Sequence, residues 1–403
     1  MDFAETARVT ELREHMWAFL DERVRPAEPV YWRDFSAATI PHRISPVMDE
    51  LKAEARRRGL WNLFLPDEEF GAGLSNVEYA PLAEISGWSP IAPEAINCSA
   101  PDTGNMEVLA RFGTPEQQER WLKPLLAGEI RSCIAMTEPG VASSDPTNIA
   151  CRIERQGDEY VITGRKWFIS GAAHPNCKVA LLMGLSDPDA EPHRRHSLVL
   201  VPFESTGFNV VKQASVLGFD DPGSHCEIQL DEVRVPAANI IGEEGGAFFI
   251  AQARLGAGRL HHCMRVIGMA ERAISLMSER AKERVAFGKP LAEQGVVRDQ
   301  IARSRVEVEQ VRLLCQKVAW LMDTVGGREA RTEIAAIKVA APNVACTVID
   351  RAMQVHGAAG LSGAFPLAQM YAYARAVRMM DGPDEVHLET IARRELRRED
   401  GHR

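Results

Sequence analysis

The hydrophobic period of this chain changes twice, near Ser132 and near Ile241, and that limits the folds open to it. Outside those points apolar residues recur every three or four positions, the spacing of a helix face. Between them they alternate, the spacing of a half-buried strand. Ile149–Arg155, Glu159–Thr163, Lys178–Gly184, Ser197–Phe203, Phe208–Lys212 and Glu227–Val235 read as strands. Gly157-Asp158 joins the first two as a hairpin turn. The polar, proline-containing Ser186–His196 reads as an exposed loop. A small sheet flanked by helix-only sequence predicts an α+β chain, mainly α. The expected order is an N-terminal helical domain (1–131), a central antiparallel β domain (132–243) and a C-terminal four-helix bundle (244–403).

Several helix ends are written explicitly. Val9–Leu20 and Pro46–Arg58 carry apolar residues at helical intervals. Thr114-Pro115-Glu116-Gln117 is a compact helix start, with Thr as cap, Pro at the first helical position and Gln117 closing a capping box, so helix should cover Pro115–Ala127. The loop before it, Ser99–Asn105, is rich in turn formers, and its Asp102 either reaches a ligand or is a solvated, turn-stabilising side chain. After Gly245-Gly246 come Phe248–Arg284, Gln294–Val325, Arg328–His356 and Phe365–Met380, whose lengths suit an antiparallel bundle. Gly326-Gly327 should link the second and third of these, and Pro342 should kink its helix.

A net charge of −9 argues against nucleic acid as the main partner. The longest apolar run, Val179–Leu185, has only the length of a strand, so no integral membrane segment is expected. The N-terminus, with acids at Asp2 and Glu5, lacks the apolar core of a signal peptide, which points to the cytoplasm. Eight scattered cysteines without a CxxC pair read as reduced, buried thiols. The paired histidines His261-His262 and His193…His196 lack carboxylate or cysteine company, so no metal site is expected.

Four local groups carry chemistry. Met136-Thr137-Glu138-Pro139-Gly140 through Asp145 is a turn of small residues and hydroxyls that offers backbone N–H groups to phosphate oxygens. In Gly164–Gly171, two aromatics and a serine at a strand end either stack on a flat ring or form a core aromatic pair. In Arg284-Val-Ala-Phe287-Gly288, Arg284 either pairs with a pyrophosphate or is a surface arginine at a helix end. The fourth group runs from Gln354 through the turn Gly357-Ala-Ala-Gly360 to Asp381-Gly382-Pro383. Asp381 lies at a helix junction beside Met379 and Met380. As a carboxylate in an apolar wall near a helix C-terminus it would have a raised pKa and suit a general base; as N-cap of the next helix it would be structural.

Together, in this order and spacing, the four groups resemble the acyl-CoA dehydrogenase family. The resemblance covers nearly the whole chain and includes Val233-Arg-Val-Pro236 with Asn239 and Gly242. Arg259-Leu-His-His-Cys-Met-Arg265 and Asp381-Gly-Pro-Asp-Glu-Val-His387 look like the branch of members ten and eleven. The resemblance implies FAD as cofactor. It puts Met136 and Thr137 at the isoalloxazine edge, Ser143 and Ser144 on the pyrophosphate, and Phe168 and Ser170 beside the flavin. It puts Arg284, Phe287, Gln354, Gly357 and Ala358 on the FAD of a neighbouring subunit, so a homodimer or homotetramer is expected. Pro383 and Glu385 stand where the family has flavin-contacting hydroxyl and amide residues. Arg259 matches an Arg behind the substrate pocket, and Asp102, Ser144 and Gly382 are further candidates for substrate contact. Asp381 stands where many members have Glu, and the family's alternative base position is Gly258 here. The resemblance therefore makes Asp381 the base.

The implied reaction is α,β-dehydrogenation of a saturated acyl-CoA, with electrons passed to an electron-transferring flavoprotein. The base removes the α-proton as the β-hydrogen leaves as hydride. In the family, the base's backbone N–H and a ribityl hydroxyl of FAD bond the thioester oxygen. The branch points to medium or long, branched or 4-hydroxylated acyl groups. An acyl-CoA oxidase or flavin monooxygenase on the same fold, and a non-catalytic scaffold, are the alternatives.

Overall fold

The computed structural model describes residues 4–37, 45–220 and 225–397; Asp2, used above, lies outside them. The helices α1 (Ala7–Phe19), α2 (Arg25–Ala37), α3 (Pro46–Arg57), α4 (Asn76–Ser86), α5 (Ala92–Ala95), α6 (Asp102–Phe112), α7 (Pro115–Gln117) and α8 (Lys123–Leu126) come first. Seven strands follow: β1 (Arg131–Ala135), β2 (Arg152–Gln156), β3 (Glu159–Ser170), β4 (Cys177–Leu185), β5 (His196–Pro202), β6 (Phe208–Ala214) and β7 (His225–Pro236). Then come α9 (Ala247–Glu283), the short strands β8 (Val285–Ala286) and β9 (Lys289–Pro290), α10 (Gly295–Thr324), α11 (Arg331–His356), α12 (Leu367–Val377) and α13 (Asp384–Glu395). The chain divides into two compact units.

One unit comprises Pro26–Ala72 and Glu94–Leu255 and holds the sheet. The strand order is β1-β4-β2-β3-β7-β6, with β5 also on β4. The hairpin between β2 and β3 turns at Gly157-Asp158, with Gln156 opposite Glu159, as the sequence requires. The sheet is not wholly antiparallel, because β1 runs parallel to β4 and β2 meets β4 in parallel at Arg152–Leu185. The chain leaves β1, builds the β2–β3 hairpin and returns in the same direction to form β4, a long crossover that parallel pairing needs. One face is closed by Ile153, Tyr160, Ile162, Leu182, Val199, Val201, Ile228 and Val233, all almost fully buried. The helix start at Thr114 forms as read: Thr114 and Gln117 exchange both bonds of a capping box. The exposed loop is shorter than expected, since His196 is buried at the start of β5 with its Nε2 2.9 Å from Ile149 O.

The other unit comprises Met1–Arg25, Gly73–Pro93 and Gly256–Arg403. Thr6 caps α1 by accepting from Val9 N, and Ser75 and Glu78 form a capping box on α4. Two glycines let α4 and α9 touch backbone to backbone: a Cβ on Gly268 would lie 1.8 Å from Glu84 O, and one on Gly87 2.0 Å from Arg265 O. Helix α11 is the central rod, with Ile334, Ile337, Ala341, Ala345, Val348, Ile349 and Ala352 buried. The stretch Arg331–Leu361, which begins with α11, is long and apolar enough to cross a membrane by length and composition, contrary to the expectation that no run approaches that length, and 56% of its apolar 18-residue window is buried inside the protein. Pro342 does not interrupt α11, which is one element from Arg331 to His356. All eight cysteines are buried thiols outside any disulfide.

Candidate functional site

In the sheet unit, the Met136–Asp145 turn is anchored by a buried ion pair that the motif reading overlooked. Residues 160, 162, 164 and 166 share one face of β3, so Lys166 points inward and is fully buried. Its ammonium donates to Met136 O at 2.9 Å, Met183 O at 2.7 Å and Glu138 Oε1 at 2.7 Å. Glu138 accepts in turn from Ala150 N and Cys151 N, each at 2.9 Å. The carboxylate and the ammonium thus each have three partners, which is what a buried pair requires. The Glu138 backbone N–H donates to Ser143 Oγ at 2.9 Å, while Ser144 is exposed. Asp145 caps the turn after it and accepts from Thr147 N and Oγ1, bonds that hold its carboxyl below the usual range.

The two aromatics after Lys166 are not a core pair. Lys166 and Ile169 sit opposite Ile228 and Cys226, so Trp167 and Phe168 share one partner residue and form a bulge. Phe168 is held at φ +51° and is 50% exposed. Its ring lies 4.9 Å edge-on from that of Trp167. Trp167 N donates to Thr137 O at 3.0 Å, and the Thr137 hydroxyl donates to Trp167 O. Ser170 Oγ is 3.0 Å from Nδ1 of the buried His225, a second partner that the sequence reading did not single out.

Asp102 is neither solvated nor in a loop. It is the first residue of α6, buried, and accepts from Ser132 N and Ser132 Oγ at 2.7 Å each while pairing with Arg131. Arg131 also reaches Glu94 at 2.9 Å, and Lys52 does so at 3.0 Å. Burial would raise the Glu94 carboxyl, but the charges of Arg131 and Lys52 hold it well below the usual range. Nearby Glu107 is the opposite case: burial pushes it up to about 7 against Arg254 and Arg111. A local reading of Ser99–Asn105 finds turn formers; it cannot see a cation that arrives from 29 residues away.

In the helical unit, Asp381 occupies the turn between α12 and α13 with φ +55°, a conformation that Asp and Asn adopt more readily than most residues. It is not the N-cap of α13. That position is Pro383, with no side-chain cap bond, and Gly382 follows Asp381 at φ +103°. The main chain of the turn is held from three helices. Arg259 Nε of α9 donates to Asp381 O at 3.0 Å, and His387 Nε2 of α13 lies 3.3 Å from the same oxygen. Lys338 Nζ of α11 donates to Val377 O at 2.5 Å and Gly382 O at 3.3 Å. Burial lowers the pKa of Arg259 and of Lys338. Burial, and then the charges of Arg259 and Lys338, push His387 down to about 4, so its ring is neutral and donates from Nε2 to the carbonyl. The Asp381 side chain is 19% exposed. A Cβ built on Gly258 would lie 3.8 Å from Asp381 Oδ2, so the two positions singled out for a base are neighbours.

The other residues assigned to a cofactor in this unit are at its surface. Phe287 at φ +52° and Gly288 at φ +79° form the two-residue turn of the β8–β9 hairpin, and Phe287 is fully exposed beside the exposed Arg284. Gln354, Gly357, Ala358 and Glu385 are exposed and Pro383 is half-buried. Gly357, at φ +64°, ends α11.

Family models match in sequence order over three segments: the N-terminal domain of acyl-CoA dehydrogenase over residues 6–129, the middle domain over 133–233 and the C-terminal domain over 246–396. The chain belongs to the acyl-CoA dehydrogenase family. It is 56% identical over 402 residues to a probable acyl-CoA dehydrogenase of Mycobacterium tuberculosis, covering 99% of this chain and 98% of the relative. It is 52% identical to acyl-CoA dehydrogenase family member 10 of Mus musculus, covering 96% of this chain but only 37% of that protein. Against family member 11 of several vertebrates it spans about half of the relative's length, 51%. A solved structure of a candidate acyl-CoA dehydrogenase from Mycobacterium abscessus superposes with a TM-score of 0.95 at 51% identity, covering 98% of this chain and 99% of the other. As a member of the acyl-CoA dehydrogenase family the chain is an oxidoreductase, and members of the family bind FAD. The residues present fit such a group. An exposed aromatic on a bulge next to a hydroxyl suits a flat ring, a turn of small residues suits phosphate, and an exposed Arg before a hairpin with an exposed Phe at its tip suit the phosphate and adenine of a dinucleotide.

Proposed function

We propose that the protein catalyses FAD-dependent α,β-dehydrogenation of an acyl-CoA, with Asp381 as the base and an electron-transferring flavoprotein as acceptor. The observation that carries the proposal is the state of Asp381. It sits in a strained turn whose main chain is pinned by Arg259, His387 and Lys338, and the capping role that would otherwise explain an Asp there belongs to no side chain. Strain maintained by surrounding bonds is a mark of a working position. FAD, when bound, accepts the β-hydrogen with its electron pair. Asp381 takes the α-proton, and the double bond forms between the two carbons.

The remaining roles follow from the chain's own surfaces. The Met136–Ser144 turn with Phe168 and Ser170 holds the flavin and pyrophosphate. Arg284, Phe287, Gln354, Gly357 and Ala358 reach the FAD of a neighbouring copy in a homodimer or homotetramer. Arg259 and Gly382 border the acyl thioester. A medium or long, branched or 4-hydroxylated acyl chain is the substrate class proposed.

Asp381→Asn tests the assignment, because Asn tolerates the same left-handed backbone and keeps the shape. The variant should bind FAD normally, and its flavin should bleach with acyl-CoA at least ~10²-fold more slowly in a single turnover, the usual scale for loss of a general base. A rate near that of the parent would remove Asp381 from the reaction.

A further inference from the structure

Beside Asp381 lies a group that the reaction as proposed does not use. His262, one turn along α9 from Arg259, is buried, and its Nε2 is 3.7 Å from Asp381 Oδ2. On the other side of the ring, Nδ1 is 3.2 Å from Nη2 of the buried Arg265. A guanidinium has only donors, so Nδ1 is the acceptor of that bond. The proton of the neutral imidazole therefore sits on Nε2, on the side that faces the carboxylate.

We propose that His262 is the positioning residue of the base: its Nε2–H, placed by Arg265, holds Asp381 Oδ2 and leaves Oδ1 to take the α-proton. The inference rests on Asp381 being the base. Such a support is useful here because the Asp381 main chain is tied down through its carbonyl by Arg259 and His387, so the carboxylate is aimed through its own side-chain torsions. A separation of 3.7 Å is longer than a hydrogen bond, and bonds of this kind commonly tighten when substrate enters.

Other charged or titratable groups surround the turn, and Arg259, Lys338 and His387 also feel the Asp381 charge. Arg259 of α9 and His387 of α13 bond the Asp381 carbonyl, and Lys338 of α11 bonds the carbonyls of Val377 and Gly382. Asp384 of α13 pairs with Arg378 at 2.7 Å. Next to His262, the His261 ring packs edge-on against Tyr79 of α4 at 5.0 Å. These groups form a background that a substitution at His262 leaves in place.

Two amides separate positioning from packing. In His262→Gln the amide nitrogen reaches the place of Nε2 and can still donate to Asp381. In His262→Asn the amide oxygen takes the place of Nδ1 and can still accept from Arg265, but nothing reaches Asp381. Single-turnover flavin reduction is followed against pH. In parallel, the Asp381 carboxyl band is titrated by infrared difference against Asp381→Asn, a readout that needs no turnover. Losing a donor to the charged form favours the protonated acid, so the Asn variant should lose rate from a higher pH. Its acid limb and its infrared midpoint should both move up by about one pH unit, with the rate at neutral pH down roughly 10-fold. The Gln variant should keep the parent's limb and midpoint. Unchanged limb and midpoint in the Asn variant, or equal shifts in both variants, would overturn the proposal and leave His262 a packing residue. A fast Asp381→Asn enzyme would instead remove the base assignment, and the infrared comparison shows which of the two has failed.

Discussion

Replacing Lys166 by Met removes one buried charge and strands another. The Lys166 ammonium is fully buried with three oxygen partners, and Glu138 is 5% exposed with two backbone N–H donors besides it. Met keeps most of the stem's volume, so little cavity forms. The carbonyls of Met136 and Met183 each lose a donor, at ~1–3 kcal/mol apiece if no water replaces it. Breaking a buried ion pair from one side costs ~3–5 kcal/mol. The two figures count the same cation twice, so ~4 kcal/mol is the working total. For a folding unit of this size that lowers Tm on the order of 10 °C. The melt is run on protein stripped of FAD, because a bound ligand raises apparent stability by mass action. FAD retention after gel filtration is read separately and should fall, since the Met136–Glu138 turn loses its anchor. Adding Glu138→Gln to Lys166→Met removes the stranded charge and should recover ~1–3 kcal/mol as coupling energy. A single variant within about 1 kcal/mol of the parent, or a double variant no better than the single, would refute the reasoning.

Three other outcomes follow from the same geometry. Glu107 has its carboxyl pushed up to about 7 in the folded protein, so folding binds a proton that the unfolded chain releases above its ordinary value near 4.5, and stability falls as pH rises between the two. Glu107→Gln should therefore melt higher than the parent at pH 8, by ~2 kcal/mol, and the gain should vanish near pH 4.5 in paired urea titrations. Gly268→Ala places a methyl 1.8 Å from Glu84 O and should cost at least ~3 kcal/mol or prevent folding, seen as loss of soluble protein or of the cooperative melt. Arg284→Ala should leave the melt within ~0.5 kcal/mol because the residue is exposed, while FAD is lost on extended dialysis; full FAD retention would count against the contact between neighbouring copies.

The pattern of periods was enough to predict helix, sheet and helix in order, because burying one face of an element leaves its spacing in the sequence. End signals were legible for the same local reason: the Thr114–Gln117 box and the Gly157-Asp158 turn are made by residues that lie next to one another in the chain. The parallel pairing of β1 with β4 was not legible, since strand direction depends on where the chain goes between the two strands. The partners of the site residues were hidden similarly. Asp102 meets Arg131, Lys166 meets Glu138 and Asp381 meets Arg259 across separations of 29, 28 and 122 residues. Two buried lysines left a trace: Lys166 breaks an inward-facing alternation in β3, and Lys338 lies among the apolar buried residues of α11. A buried lysine needs acceptors, so the sequence could announce that partners exist. Only the tertiary structure decides which oxygens they are, because desolvating the ammonium is tolerated only where folding brings those oxygens to it.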